Sequence, residues 1–370
     1  MKKYMSYAWI YMFAVMFMTA FLTYPLFAKF MDYSNIENRE KADFPILSSE
    51  NYIEYHHAFE DWFNDILPYR DALIQSNREF VFYGFKESAS EAVIVGKKGW
   101  LFYNETMPDY KKINLYTPEQ LETIRMKLEA NQKYFHKKGI DFIVFIAPNK
   151  ASIYGESFLP DYIYREGGMS RTEQLVDYIR QNTDVPIVFP ENELLEIAGS
   201  YPEYSLYFHL DTHWNYLGGY CGTKMLLKEL DIELPEINEI VLEDVNSPLF
   251  VWNGYDLANM MGMTGKLTAD VNYEIDYGSD RVVVWDGDTT TSIDDFNTFC
   301  QTTSDAEDKR KVMFIRDSFG SAMLPFMASE FSNIYSPHSA TMLDSQTIDE
   351  VNPDIVIYEF VERGDIVVFE

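Results

Sequence analysis

From residue 111 onward, short apolar runs alternate along the chain with segments of helical spacing. The apolar runs cover residues 142–147, 186–189, 312–315 and 355–358. Helices are predicted between these runs, at about 117–138, 171–181, 216–229 and 319–331. Thr117, Pro118 and Gln120 form a helix start with a capping box, and Gly139 ends that helix. Strands that are apolar throughout and alternate with amphipathic helices indicate an α/β fold, with a parallel sheet and helices on both faces.

Two other regions depart from this alternation. Before residue 111, residues 31–50 form a polar linker, residues 51–85 have helical spacing with a stop at Pro68, and residues 93–103 suggest a β-hairpin. Residues 231–310 contain short β-like pieces, such as 281–285, and are predicted to be an insertion or a lid over the sheet. We therefore expect three parts, at residues 1–30, 31–110 and 111–370.

The N-terminal segment predicts where in the cell the protein is located. Lys2 and Lys3 precede residues 4–28, which contain no charged side chain. At about 1.5 Å per residue, such a helix is long enough for a hydrocarbon core of about 30 Å. The charges predict a cytoplasmic N-terminus, a single transmembrane signal anchor at the cell membrane and an extracytoplasmic remainder. A cleaved signal peptide is the alternative, which the long span and the bulky residues 23–28 disfavour.

The amino-acid composition limits the kinds of molecule that the protein is expected to bind. Hydrophobic residues make up 47% and charged residues 24%, which is typical of a globular protein with a sizeable core. The net charge of −29 argues against nucleic-acid binding. The two cysteines, Cys221 and Cys300, are too few for a disulfide framework, and whether they pair stays open. An aromatic content of 16% suits a sugar-binding protein, but composition alone does not decide this.

Ser318 is the first candidate for chemistry. It lies in Arg316-Asp317-Ser318-Phe319-Gly320, where a predicted strand passes into a helix. Free N–H groups at a helix N-terminus stabilise the oxyanion that forms when a serine attacks an ester. The alternative is an ordinary helix cap formed by Asp317 and Ser318, and for this segment alone the cap is favoured.

Asp211 and His213 form the second candidate. A nucleophilic serine needs a base, and the base needs an acid that orients it. Asp211 is two residues from His213, and Trp214 can shield the pair. A structural Asp-His capping pair is one alternative. A metal site formed by His209, Asp211 and His213 is another, but no further Cys/His cluster supplies a fourth ligand, so no metal and no cofactor are predicted.

These two segments together resemble a known family. Asp-x-His-Trp at 211–214, followed about a hundred residues later by Asp-Ser-Phe at 317–319, is similar to the alginate O-acetyltransferase group of SGNH-like proteins. The Gram-positive branch of this group is called the DHHW family. Further blocks with the same order lie at 37–39 with Pro45, 65–70, 99–103, 148–150 with Tyr154, 254–258, 353–354 and 362–363.

The resemblance implies an SGNH-hydrolase-like fold in which the Asp and His precede the Ser. It implies Ser318 as nucleophile, His213 as base and Asp211 as the orienting acid. This sequence has Arg316 where SGNH enzymes usually have a glycine.

Other site roles are expected beside the triad. Candidate oxyanion donors are Asn149 and Arg316, and Trp214 is a candidate for substrate binding. Glu359, Glu362 and Arg363 follow the last strand and are expected to line the cleft, unless they form a surface salt bridge.

The implied activity is that of a membrane-anchored O-acetyltransferase acting on an extracellular or cell-wall polysaccharide. The resemblance also implies a partner, a multi-pass membrane acyltransferase that supplies the acyl group. A carbohydrate esterase with the same triad is one alternative, and a non-catalytic glycan-binding subunit of a polysaccharide modification or export complex is another. Transfer of D-alanine to teichoic acid is a third, which the net charge makes less favourable.

Overall fold

The computed structural model describes residues 2–27, 40–48, 52–242, 255–263, 265–267, 270–279, 281, 283–286, 300–338, 345–364 and 366. The chain forms two compact units. The first contains Met1–Ser90 with Ala258–Lys266, and the second contains Glu91–Leu257 with Leu267–Glu370. Of the blocks that carry the resemblance, residues 37–39 and Gly254 lie outside the described residues.

The first unit contains the helices α1, Lys2–Phe27; α2, Tyr55–Asp65; and α3, Arg70–Phe80. Pro68 lies between α2 and α3, where the sequence predicted a stop. Residues 40–48 have neither helix nor strand, as expected of a linker. The predicted helix over 4–28 is present as α1, but its predicted membrane span is not supported, because no helix among the described residues is long and apolar enough to cross a membrane.

The second unit begins with the predicted hairpin. Its strands are β1, Val93–Val95, and β2, Leu101–Tyr103, and they pair antiparallel. In the turn, Lys98 has φ 56° and Gly99 has φ 85°. A glycine is favoured at the second position because residues with a Cβ rarely adopt that conformation.

A seven-stranded sheet forms the centre of the second unit. Five neighbouring strands are parallel, as predicted, in the order β4 (Ile187–Val188), β3 (Asp141–Ala147), β11 (Ile355–Val361), β9 (Asp308–Ile315) and β10 (Phe331–Ser336).

The prediction of a wholly parallel sheet is wrong at one edge. β8 (Cys300–Ser304) pairs antiparallel with β10, and β7 (Val283–Asp286) pairs antiparallel with β8. Both strands come from the predicted insertion, which here extends the sheet. The same region contributes β5 (Glu239–Leu242) and β6 (Tyr273–Asp276), which form a separate two-stranded sheet.

Helices cover both faces of the sheet. Alternate residues of β3 point to opposite sides: Ile143 and Phe145 belong to one buried cluster, and Phe142 and Val144 belong to the other. The helices of the second unit are α4, Met107–Tyr110; α5, Pro118–Lys137; α6, Lys150–Phe158; α7, Arg171–Asn182; α8, Glu191–Ser200; α9, Tyr216–Glu229; α11, Ser318–Glu330; and α12, Ser345–Val351; α10, Asp256–Met260, begins in this unit. α9 and α11 contribute to the first cluster, and α5 and α7 contribute to the second.

Two features of this arrangement position the site. β3, β11 and β9 are adjacent and parallel, so the residues that follow each of them meet at one edge of the sheet. α9 and α11 approach closely at Gly219, where an added Cβ would lie 2.3 Å from the Ala322 carbonyl oxygen. Their close packing brings the segment before α9 next to the start of α11.

Candidate active site

Ser318 is the first residue of α11, and two residues separate it from the end of β9. Asp317 caps the helix, because its Oδ1 accepts a hydrogen bond from the Phe319 N–H at 2.7 Å. Asp317 Oδ2 accepts a second bond from the Val361 N–H at 2.7 Å. The cap is therefore Asp317 itself, and the Ser318 hydroxyl is available for another partner.

That partner is His213. The Ser318 Oγ lies 2.6 Å from His213 Nε2, and His213 Nδ1 lies 2.6 Å from Asp211 Oδ1. Asp211 is 1% exposed, and Ser318 is half-buried. The structure thus brings together the three residues that the sequence singled out, in an unbroken hydrogen-bonded chain.

The electrostatics of this chain favour an ionised Asp211. Burial alone raises the pKa of Asp211, but His213 and the backbone N–H donors lower it overall. Burial alone lowers the pKa of His213, but the charge of Asp211 and its hydrogen bond raise it overall. With Asp211 ionised, Nδ1 of His213 carries a proton, and Nε2 is left to accept the proton of Ser318.

Asp211 and His213 lie on a loop, residues 208–213, which we call the triad loop. A β-bridge between Tyr207 and Trp214 closes its base. Its carbonyl groups are held by Lys150, whose Nζ donates to the oxygens of Phe208, His209 and Asp211 at 3.2, 3.2 and 2.6 Å.

Lys150 is 4% exposed, and burial lowers its pKa to about 8. A buried loop without regular structure needs such partners for its backbone groups.

The amide groups of the triad loop are held by two carboxylates. Asp270 accepts from the N–H of His209 and of Leu210 at 2.6 and 2.7 Å. Asp256 Oδ1 accepts from the Thr212 N–H at 2.7 Å, and the Asp256 N–H donates to Asp211 Oδ2 at 2.8 Å. Both carboxylates are missing from the sequence-based assignments; only Asp256 fell within a block of the resemblance.

Asp256 also belongs to a group of side chains that bears on metal binding. Asp211, His213 and Asp256 offer ligand atoms that lie within 4.8 Å of one another, a spacing that could hold a metal ion. Asp211 Oδ1 and His213 Nδ1 are 2.6 Å apart, however, which is the distance of a direct hydrogen bond. His209, the third member of the trio considered from the sequence, instead packs with a tilted ring against Trp100, at 4.4 Å between ring centres.

Backbone donors surround Ser318. The N–H groups of Asp317 and Gly320 both donate to Glu359 Oε2, at 3.0 and 3.1 Å. Burial and the nearby Asp317 raise the pKa of Glu359 well above its usual range, which favours the uncharged acid. The Ser318 N–H has no acceptor among the described residues and is therefore free to bind an oxyanion. Glu359 therefore supports the turn at residues 317–320 through these two hydrogen bonds. Because its side chain is buried, with 1% exposed, it does not line the cleft.

Asn149 follows β3 at the same edge of the sheet and is 1% exposed. Its Oδ1 accepts a hydrogen bond from Arg363 Nη1 at 2.8 Å, and its backbone N–H donates to Glu362 Oε2 at 2.8 Å. Because a guanidinium can only donate, this bond fixes the amide orientation and leaves Nδ2 as a buried donor without a partner among the described residues. The Arg363 guanidinium also lies over the Phe319 ring, 5.3 Å from its centre.

Two other residues that the sequence suggested for the site, Arg316 and Trp214, are buried and hold neighbouring groups in place. Arg316 is 6% exposed and donates to the hydroxyls of Ser336 and Ser321 at 3.0 and 2.6 Å, so these hydrogen bonds go to serines other than Ser318. Trp214 is 1% exposed, and its Nε1–H donates to the Phe319 carbonyl oxygen at 2.8 Å. Trp214 therefore fixes the start of α11 against the triad loop.

Comparison with known proteins agrees with this geometry. The family described as "SGNH hydrolase-like domain, acetyltransferase AlgX" matches residues 93–295, more than half of the 370-residue chain. The chain belongs to this family. The predicted resemblance is thereby confirmed, and so is the enzyme class, an acetyltransferase of SGNH-like type. A comparison with curated protein sequences found no match.

Two solved structures are similar in fold. A DHHW family protein from Eubacterium siraeum has a TM-score of 0.50 and 15% identity, over 73% of this chain and 89% of that one. Bacillus cereus PatB1 with a sulfonyl adduct has a TM-score of 0.51 and 14% identity, over 72% of this chain and 96% of that one. At such identities the likeness establishes the fold, an α/β fold of SGNH type with a mostly parallel sheet.

Proposed function

We propose that this chain is an O-acetyltransferase that transfers acetyl groups to polysaccharide hydroxyls through Ser318, His213 and Asp211. The observation that supports the proposal is the chain of two 2.6 Å contacts from Ser318 Oγ through His213 to Asp211. A serine whose proton has an acceptor at this distance is activated for attack on an ester carbonyl.

In the first half-reaction, Ser318 Oγ attacks the acetyl carbonyl of the donor, and its proton moves to His213 Nε2. Asp211 stays ionised and stabilises the imidazolium that forms. When the tetrahedral intermediate collapses, the bond to the donor's leaving group breaks, and His213 protonates that group. The product is an acetyl ester on Ser318.

In the second half-reaction, a sugar hydroxyl attacks this ester and gives its proton to His213 Nε2. Collapse breaks the bond between the acetyl carbon and Ser318 Oγ, and His213 returns the proton to Ser318. The sugar leaves as its acetyl ester. Water in place of the sugar would give acetate, which is the esterase alternative.

Asn149 is proposed as the second oxyanion donor, beside the Ser318 N–H. Its Nδ2 is buried and has no acceptor among the described residues, although a buried donor without a partner costs about 1–3 kcal/mol. Such a cost is expected where a donor is kept for a transition state. Arg363, which holds the amide oxygen, is proposed as the residue that positions Asn149.

The acetyl donor, the acceptor polymer and the location are proposed from the resemblance. We propose that a multi-pass membrane acyltransferase supplies the acetyl group and that the acceptor is an extracellular or cell-wall polysaccharide. The second unit would then act on the outer side of the cell membrane. Co-purification with a membrane acyltransferase would test the partnership.

The experiment that tests the function uses an aryl acetate as donor and a neutral oligosaccharide as acceptor. We expect the wild type to produce acetylated oligosaccharide, detected by mass spectrometry, and Ser318→Ala to produce none. Ser200→Ala, an exposed serine at the end of α8, is the matched control and should behave as the wild type. Release of acetate without acetylated sugar would support the esterase alternative, and equal product from Ser318→Ala would contradict the triad.

A further inference from the structure

Ser318 opens into a small crevice lined also by Phe208, His213 and Asn272, which we call the Ser318 crevice. A larger cavity nearby is lined in part by His209 of the triad loop. Its volume is about 530 Å³, within the range of about 300–1,000 Å³ that is typical of small-molecule sites. Its walls include the aromatic rings of Trp100, Tyr154, Phe158, Tyr204 and Tyr273.

Consecutive residues separate this cavity from the Ser318 crevice. Phe208 lines the crevice, while its neighbour His209 lines the cavity. Asn272 lines the crevice, while Val271 and Tyr273 on either side of it line the cavity. Residues 208–209 and 271–273 therefore contribute side chains to both spaces and form a boundary between them.

A second set of contacts connects the cavity with Asn149. Ser152 lines the cavity, and its hydroxyl donates to Glu362 Oε2 at 2.6 Å. The same Glu362 oxygen accepts the N–H of Asn149, the proposed oxyanion donor, at 2.8 Å. A ligand in the cavity would thus contact His209 of the triad loop and Ser152, which shares the Glu362 carboxylate with Asn149.

The chemistry of the walls favours an uncharged, hydroxylated ring. His209 is half-buried, and burial lowers its pKa to about 4, so its imidazole is neutral near pH 7 and offers one donor and one acceptor. No described residue forms a hydrogen bond to that ring. A sugar hydroxyl is both donor and acceptor, and the apolar faces of sugar rings pack on aromatic side chains.

The charges around the cavity argue against an anionic ligand. Among the side chains that line it, Lys98 and Arg165 are balanced by Glu156 and Glu203, and Arg165 is also paired with Glu191 at 2.7 Å. An acidic sugar would therefore meet no net positive charge in the walls, on a chain whose net charge is −29.

We propose that this cavity binds an uncharged sugar residue of the acceptor polysaccharide, at a position separate from the hydroxyl that receives the acetyl group. This inference rests on the proposed function. It gives the enzyme a second point of attachment to a polymer, which would raise the effective concentration of the chain near Ser318.

The test is isothermal titration calorimetry with chitohexaose, an uncharged hexamer of N-acetylglucosamine, and with a galacturonic acid hexamer as the anionic probe. The protein is the full chain carrying Ser318→Ala, so that no turnover occurs. We expect chitohexaose to bind and the galacturonic acid hexamer to bind at least about tenfold more weakly.

Two variants in this background locate the binding. His209→Ala removes the hydrogen-bonding ring, and Ala198→Phe fills the cavity from α8 without changing the triad loop. Each should weaken chitohexaose binding at least about fivefold. The matched controls are His136→Ala and Ser200→Phe, both at exposed positions, and neither should change it.

Unchanged affinity in both cavity variants, absence of chitohexaose binding, or equal binding of the two hexamers would overturn the inference. Acetylation of Ser318 by an aryl acetate is measured separately on the chain with its serine. If that acetylation fails while the cavity variants still lose affinity, the proposed function is wrong and the sugar site stands. If acetylation occurs and the cavity variants bind normally, only the sugar site is wrong.

Discussion

Lys150→Met removes the side chain that holds the carbonyl groups of the triad loop. Methionine keeps a long, flexible chain but has no donor. The lysine gives three hydrogen bonds, to the carbonyl oxygens of Phe208, His209 and Asp211. Each of these hydrogen bonds has a charged donor and contributes about 1.5–3 kcal/mol, so the loss of all three costs about 6 kcal/mol.

Part of this loss is offset. Burial lowers the pKa of Lys150 to about 8, from a usual value near 10.4, so holding it charged in the fold costs about 3 kcal/mol. The net expectation for Lys150→Met is therefore a decrease of about 3 kcal/mol in the free energy of unfolding. Because the triad loop carries His213, we also expect acetylation of Ser318 to slow by about 100-fold, the cost of a displacement of about 1 Å.

The assay is stopped-flow release of nitrophenolate from an aryl acetate, with urea denaturation of the same samples. Lys133→Met is the control, since this lysine is 70% exposed and pairs only with Glu129 among the described residues. Wild-type stability and an acetylation rate within about twofold of the wild type would refute the role given to Lys150.

Three further expectations concern single side chains of the site. His213 must be neutral to accept a proton, and Asp211 raises its pKa, so the rate of wild-type acetylation should fall as the pH decreases through a value above the usual 6.5. Asp211→Asn should move this acidic limb of the pH–rate profile to lower pH and lower the rate by about 10⁴-fold. An acidic limb at the wild-type position in Asp211→Asn would refute the pairing of His213 with Asp211. Asn149→Ala should slow acetylation by about 10²–10³-fold with little effect on binding of an uncleavable analogue, whereas a rate within twofold of the wild type would exclude Asn149 as an oxyanion donor. Burial raises the pKa of Glu362 to about 7, so its unfavourable contribution to stability is absent below about pH 4, grows between about pH 4 and 7 and is complete above about pH 7. Glu362→Gln should therefore increase the free energy of unfolding by up to about 3 kcal/mol at pH 8 and by much less at pH 5. Urea denaturation measures both changes, and an equal change at the two pH values would show that Glu362 is not responsible.

The elements with local signals were predictable from the sequence. The capping box of Thr117 and Gln120 is present at the start of α5, and α9 has the predicted bounds of 216–229. The strand before Ser318 and the helix after it were also predictable. The segment 331–336 was missed as a strand because β10 follows α11 without any loop residue between them, and because Asn333 and its polar neighbours interrupt the apolar run.

The residues that support the site carried no such local signal. Lys150, Asp256 and Asp270 come from three separate segments, and each acts on backbone groups of the triad loop that are 44 to 61 positions away. Nothing in their own sequence neighbourhoods specifies those partners, because the contacts depend on the packing of the whole second unit. By contrast, Asp211 and His213 are two residues apart, and their hydrogen bond follows from a single turn.

If Ser318 carries the acetyl group between donor and acceptor, as proposed, the acetyl ester on Ser318 can be isolated. The purified chain is mixed with an aryl acetate, quenched in acid within seconds and digested, and the peptides are examined by mass spectrometry. We expect one added acetyl group on Ser318 in the wild type, which is lost when an oligosaccharide is added before the quench, and no acetyl group on this peptide in Ser318→Ala. Turnover of the ester with acetyl found on another residue, or with full activity kept in Ser318→Ala, would contradict this role of Ser318.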